Sequence, residues 1–138
     1  MAETINGGGT LTVTNLGDAL QAGDVFQLFS QPVSGFAAVN LPAVGPGLGW
    51  VNQLANNGTL VVVSTASPNL TTQLSGGNQL TLTWPTDHTG WRLQVQTNSL
   101  DTGLGTNWWD FIGAVITNQM TFSISPVEGG IFYRLTYP

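Results

Sequence analysis

Apolar and polar residues alternate with a period of two in stretch after stretch of this chain. Leu11 and Val13 alternate with threonines over residues 10–14, and Leu80, Leu82 and Trp84 alternate with Thr81 and Thr83. Leu93 and Val95 alternate with Arg92, Gln94 and Gln96, and Met120, Phe122 and Ile124 with Thr121 and Ser123. Tyr133, Leu135 and Tyr137 alternate with Phe132, Arg134 and Thr136. Alternation with a Thr/Gln/Ser outer face predicts half-buried antiparallel strands. The β-branched run Thr59–Val63 follows Asn56-Asn57-Gly58, and an Asn-Gly pair predicts a hairpin through a type I′ turn. A helical turn is predicted only at Leu16–Ala22, bounded by Gly17 and Gly23.

Glycine clusters and prolines separate these runs at Gly7-Gly8-Gly9, Gly45-Pro46-Gly47, Gly76-Gly77, residues 85–90, residues 103–107 and Gly129-Gly130. Many short strands joined by such turns predict an all-β antiparallel β-sandwich, of immunoglobulin, fibronectin type III or jelly-roll type. The openings GGGTLTVT, NNGTLVVV and GGNQLTLT look alike, but their unequal separations argue against a solenoid period. A polar segment at 65–77, TASPNLTTQLSGG, forms a seam. Either half alone makes a marginal β core, so the expectation is one domain over residues 1–138.

Composition narrows the function. The 138 residues include seven acidic groups against two basic ones, Arg92 and Arg134, with one histidine and no cysteine. Nucleic-acid binding is excluded in its ordinary form, because it depends on several Lys or Arg phosphate contacts. A polybasic membrane anchor fails for the same reason, and no apolar run reaches the length of a membrane helix. Without cysteine there is no zinc ribbon, redox dithiol or thiol nucleophile. Charged residues are 7% of the chain while 41% is hydrophobic. A quarter charged is usual, so the surface must be built from neutral hydrogen-bonding side chains and aromatic rings. The N-terminal MAETINGGGT has no basic segment followed by an apolar stretch, so no signal peptide is read there.

Catalytic patterns are sparse. His88 lies in the turn-like PTDHTG, where a solvated histidine is the expectation, and no G-x-S-x-G elbow presents a serine. Asp87, Asp101, Asp110 and Glu128 offer carboxyls for a glycosidase pair, yet each also reads as a turn or strand-end residue. The segment from Asp101 to Asn107 offers oxygens to calcium but lacks the closing glutamate of an EF-hand. No cofactor is expected beyond a weakly signalled structural calcium around Asp101, and no phosphate-binding loop is present.

Two stretches carry a resemblance. Residues 78–138, with LTLTWPTDHTGWRLQVQTNSL, GTNWWDFIG, TNQMTFSIS and FYRLTYP, resemble the C-terminal module of large secreted bacterial surface proteins. Residues 9–63, with GDVFQLFS, GFAAVNLP, GLGWVNQL and GTLVVV, resemble the preceding segment, where autotransporter-type β-repeats end. The resemblance implies a non-catalytic β-sandwich appended to an enzyme or adhesin, with Trp108 as a core tryptophan. Trp109 departs from the pattern, which has a smaller apolar residue there. In an extended strand Trp108 and Trp109 face opposite ways.

Five tryptophans in so uncharged a chain are the strongest chemical signal. An indole is a rigid, electron-rich plate that suits the apolar C–H face of a pyranose. Trp84 reads as core by parity, Trp91 as core or rim, and Trp50 as a loop aromatic after GPGLG. The expectation is a non-catalytic carbohydrate-binding module for a neutral polysaccharide of β-linked glucan type, cellulose-like or xyloglucan-like. Its expected site is Trp109, Trp50 and Trp91, assisted by Asn107, Asp110 and Gln94. It would be secreted, as a module excised from a longer polypeptide that carries a catalytic domain. The alternative is a structural or anchoring module whose outer tryptophans meet another protein. A small enzyme using carboxylates is a third reading.

Overall fold

A computed structural model describes residues 5–125 and 129–138, and the chain is all-β and sandwich-like. It divides into two compact units, Met1–Ala66 and Ser67–Pro138, with the boundary inside the polar segment at 65–77.

The first unit contains β1 (Ile5–Asn6), β2 (Thr10–Thr12), β3 (Val25–Gln27), β4 (Val33–Ser34), β5 (Ala38–Asn40), β6 (Leu48–Gln53), α1 (Leu54–Asn57) and β7 (Thr59–Ser64). Strand β7 lies between β3 and β6, antiparallel to both. Its Leu60, Val61, Val62 and Val63 are all 3% exposed or less. Burial of consecutive residues explains why this strand is a continuous β-branched run rather than an alternating one. Two pairings are parallel: β1 with β4 and β2 with β5. Ile5 lies opposite Val33 and Thr10 opposite Ala38, the same 28-residue offset in both. Antiparallel alternation did not anticipate these pairs, because the period of two is the same in either direction.

Two local expectations are corrected. Residues 16–22 form bends and turns, not a helix. The Asn-Gly pair does not form a type I′ turn either, since no described non-glycine residue has positive φ. The β6–β7 connection is instead the single turn α1, closed by Gly58 at φ 77° with its N–H donating to the Leu54 carbonyl at 3.1 Å. Side chains enforce this choice: Asn57 Nδ2 donates to Gln53 Oε1 at 3.3 Å, and Thr59 Oγ1 donates to Asn57 Oδ1 at 2.6 Å. Both partners of Asn57 are buried, Gln53 at 2% and Thr59 at 4% exposure.

The second unit contains β8 (Thr71–Ser75), β9 (Gln79–Thr83), β10 (Arg92–Asn98), β11 (Trp109–Asp110), β12 (Gln119–Ser123) and β13 (Gly130–Thr136). Two antiparallel sheets result, ordered β12–β9–β8 and β11–β10–β13. Leu82 and Trp84 from the first meet Leu93 from the second, with Ala114, in a buried cluster. Leu80, Met120, Phe122, Tyr133 and Leu135 surround it. These are the residues singled out by period-two parity. Phe111, Phe122 and Tyr133 form a short aromatic ladder with ring centroids 4.5 and 5.2 Å apart. His88, expected in solvent, is instead 4% exposed within the 3-10 turn Thr86–His88. Its Nδ1 lies 2.7 Å from Asp87 Oδ1 and its ring is 5.0 Å from that of Trp91.

Gly58 combines a left-handed backbone with a tight site, because a Cβ there would lie 2.3 Å from the Phe29 carbonyl oxygen. Forcing an L-residue into such a conformation costs about 1–3 kcal/mol before the clash is counted. Gly58→Ala is therefore expected to lower the unfolding free energy by at least about 2 kcal/mol, measured by urea denaturation.

Candidate functional site

Strand β10 positions the residues of interest. It is the middle strand of its sheet, with Gln94 opposite Asp110 on β11 and Arg134 on β13, and Val95 opposite Trp109 and Tyr133. Residues directly opposite share a face, so the sheet has two chemically different sides. One carries Leu93, Tyr133 and Leu135, which form or pack against the core cluster, and also Val95 and Trp109. The other carries Arg92, Gln94, Gln96, Asp110, Arg134 and Thr136.

Trp109 lies on the edge strand β11 and is 71% exposed. A two-residue edge strand can leave a side chain of core parity uncovered, since nothing pairs beyond it. Its neighbour Trp108 is half-buried rather than in the core, and the Arg134 guanidinium carbon lies 4.2 Å from its ring centroid. Cation–π attraction of this kind is worth about 0.5–1 kcal/mol at an exposed site.

The polar side is a connected network. Arg134 Nε donates to Gln94 Oε1 at 2.8 Å, and Gln94 Nε2 donates to Asp110 Oδ1 at 2.6 Å. Arg92 Nη1 donates to Asp110 Oδ2 at 3.2 Å, in an ion pair whose side chains are 42% and 46% exposed. With both ends of its amide engaged, Gln94 has one orientation. Gln96 serves the loop before β11: its Nε2 donates to the Asn107 carbonyl at 2.7 Å and its Oε1 accepts from the Gly105 N–H at 2.7 Å. Thus Gln94 and Gln96, 9% and 2% exposed, are buried struts. Arg92 Nε and Thr136 Oγ1, on directly opposed residues, are buried with no hydrogen-bond partner among the described residues.

The five expected ligand residues of the second unit do not share one side of its sheet. Trp109 offers an open plate, but Asp110 and Gln94 project from the opposite side of the sheet. Asn107 is exposed, and its carbonyl is held by Gln96. Trp91 is 6% exposed, with rings of His88 and Tyr137 at 5.0 and 5.7 Å, so the platform expected there is closed. Trp50 belongs to the first unit and is half-buried; its Nε1 donates to the Pro42 carbonyl at 2.8 Å and its ring lies 5.9 Å from that of Phe26. There it lines a pocket of about 190 Å³ with Leu20, Phe26, Leu28 and Leu60. A more open cleft of about 440 Å³ shares Asn15, Leu20 and Phe26 with that pocket and adds Asp18, Gln21 and Asp24.

Among the described residues no three His, Cys, Asp or Glu side chains cluster as a metal site. The oxygens near Asp101 are partly used within their own loop: Ser99 Oγ and Thr102 Oγ1 lie 2.7 Å apart, and the Gly103 carbonyl accepts from Asn98 Nδ2. Of the four carboxyls considered for acid–base chemistry, Asp87 contacts His88, Asp110 contacts Arg92 and Gln94, and Glu128 lies outside the described residues. No described helix is long and apolar enough to cross a membrane. No protein-family model, curated protein or solved structure matches the chain.

The Arg134–Trp108 stack was missed in the sequence. Parity puts Arg134 opposite to Tyr133 and Leu135, but only the cross-strand register brings it to Gln94.

A buried hydroxyl without a partner costs about 1–3 kcal/mol in protein mutational data. Thr136→Val keeps the shape and removes that hydroxyl, so thermal or urea unfolding should show a gain of about 1 kcal/mol.

Proposed function

We propose that this chain is a non-catalytic carbohydrate-binding module for a neutral polysaccharide of β-linked glucan type, acting as part of a secreted bacterial polypeptide that also carries a catalytic domain. The observation that carries the reading is Trp109, an indole 71% exposed at a sheet edge in a chain of very low charge. Exposing so large an aromatic surface forfeits burial energy, which a stacked sugar ring restores. Asn107, exposed two residues away, supplies an amide for sugar hydroxyls. Trp50, beside the cleft bordered by Asn15, Asp18, Gln21 and Asp24, is a second aromatic contact for the same class of ligand. Asp110 and Gln94 act on this reading as supports of β11 rather than as direct ligands.

The alternative, a structural or anchoring module that makes protein–protein contacts, draws on a different observation. Strands β1 and β2 pair in parallel with β4 and β5 at one constant offset, the geometry by which successive coils stack. Leu100, Leu104, Ile112 and Ile116 are also exposed, between 58% and 97%. Concentration-dependent association in sedimentation, with no response to glycans, would favour it.

Stacking of a planar ring on one aromatic is worth roughly 1–3 kcal/mol in the nucleic-acid case. With cello-oligosaccharides in titration calorimetry, Trp109→Ala is expected to weaken binding about tenfold or more while leaving thermal unfolding unchanged. Unaltered affinity in that variant removes Trp109 as the site.

A further inference from the structure

Beyond the neutral-glycan reading, we propose that Arg134 and Trp108 form a separate subsite for the carboxylate of an acidic sugar, a uronic acid unit of a polysaccharide. Arginine has five N–H donors in a rigid planar fork. Arg134 uses its Nε on Gln94, and among the described residues no carboxylate pairs with it. The remaining edge of the fork belongs to an exposed residue. Bidentate capture of a carboxylate is the interaction that such an edge is shaped for.

Three features preorganise it. The guanidinium lies over the Trp108 ring at 4.2 Å, which restrains its tilt. Gln94 holds its Nε at 2.8 Å, and Gln94 is itself fixed by Asp110 at 2.6 Å. Asp110 in turn is paired with Arg92 at 3.2 Å, so the neighbouring carboxylate is partly neutralised. Both basic residues of a chain with net charge −5 thus lie on one side of one sheet, where they outnumber the acid beside them. Neutral surroundings leave this the local positive point of the unit.

The same arrangement selects the kind of carboxylate. There is one available fork and no second unpaired cation next to it, so an acidic peptide run gains nothing from its repeated charge. A uronic acid carries its carboxylate directly on the sugar ring, so the ring is brought beside the half-buried Trp108 indole as the carboxylate enters the fork. This subsite lies on the opposite side of the sheet from Trp109 and does not depend on that platform.

The test uses the full chain with α-1,4-linked tetragalacturonate and its methyl ester, which keeps the rings and removes the charge. Calorimetry should show the acid binding at least tenfold more tightly than the ester, a preference lost in Arg134→Gln and reduced at least fivefold in Arg134→Lys. Arginine side-chain NMR of the unmodified protein, with only two arginines to resolve, should show the Arg134 Nε–H resonance moving with the acid and not with the ester. Equal binding of acid and ester, or a preference that survives in Arg134→Gln, overturns the proposal. Tetraglutamate binding as tightly as tetragalacturonate overturns the assignment to a sugar. Trp109→Ala should leave the acid preference intact, which separates a failure here from a failure of the neutral-glycan reading.

Discussion

The second unit depends on the register of β10. Its odd residues, Leu93 and Val95, are apolar, Leu93 being part of the buried cluster, while Arg92, Gln94 and Gln96 alternate with them. Pairing with β13 sets Gln94 against Arg134, and pairing with β11 sets it against Asp110. A slip of one residue would exchange the two sides, setting the apolar residues among the polar partners and turning two glutamines and an arginine toward the apolar cluster. The hydrophobic face therefore determines which polar groups meet on the other side, and the Arg134–Gln94–Asp110–Arg92 network follows from it.

Low charge shapes how that network works. In most domains many surface ions screen and compete with one another; here the two arginines and one aspartate form a nearly isolated set. Glutamines take over structural tasks that ion pairs perform elsewhere. Gln96 ties the loop before β11 to the sheet, and in the first unit Gln53 and Asn57 brace the turn between β6 and β7. Neutral amides serve both as donor and as acceptor, so each can join two segments at once.

Parity made the fold class and the second-unit core legible: Leu82, Trp84 and Leu93 were readable as interior from alternation alone. Register was not. Nothing local to GTNWWDFIG tells that Trp109 falls opposite Val95 and Asp110 opposite Gln94, and so the expected ligand residues divided between two sides. Trp91 began its strand after Gly90, where alternation has no preceding residue to anchor it, and tertiary contacts with His88 and Tyr137 decided its place. The Asn57-Gly58 turn was misread because a side-chain bond from Asn57 back to Gln53 selects a helical turn over the mirror-image hairpin. In the first unit the parallel direction of β1 and β2 leaves no mark on the hydrophobic pattern.

Those parallel ladders bear on the order in which the first unit assembles. The β6–β7 hairpin closes around α1 and Gly58, a loop of a few residues, whereas β1–β4 and β2–β5 must each enclose 28 residues before a contact forms. Each doubling of loop length adds only about 0.6 kcal/mol of closure entropy, but the long ladders are two and three residues long and return few hydrogen bonds for it. Loop closure therefore favours the hairpin and its buried valines forming ahead of the long ladders. In this unit the pairings that span the most sequence are also the ones that return the fewest hydrogen bonds.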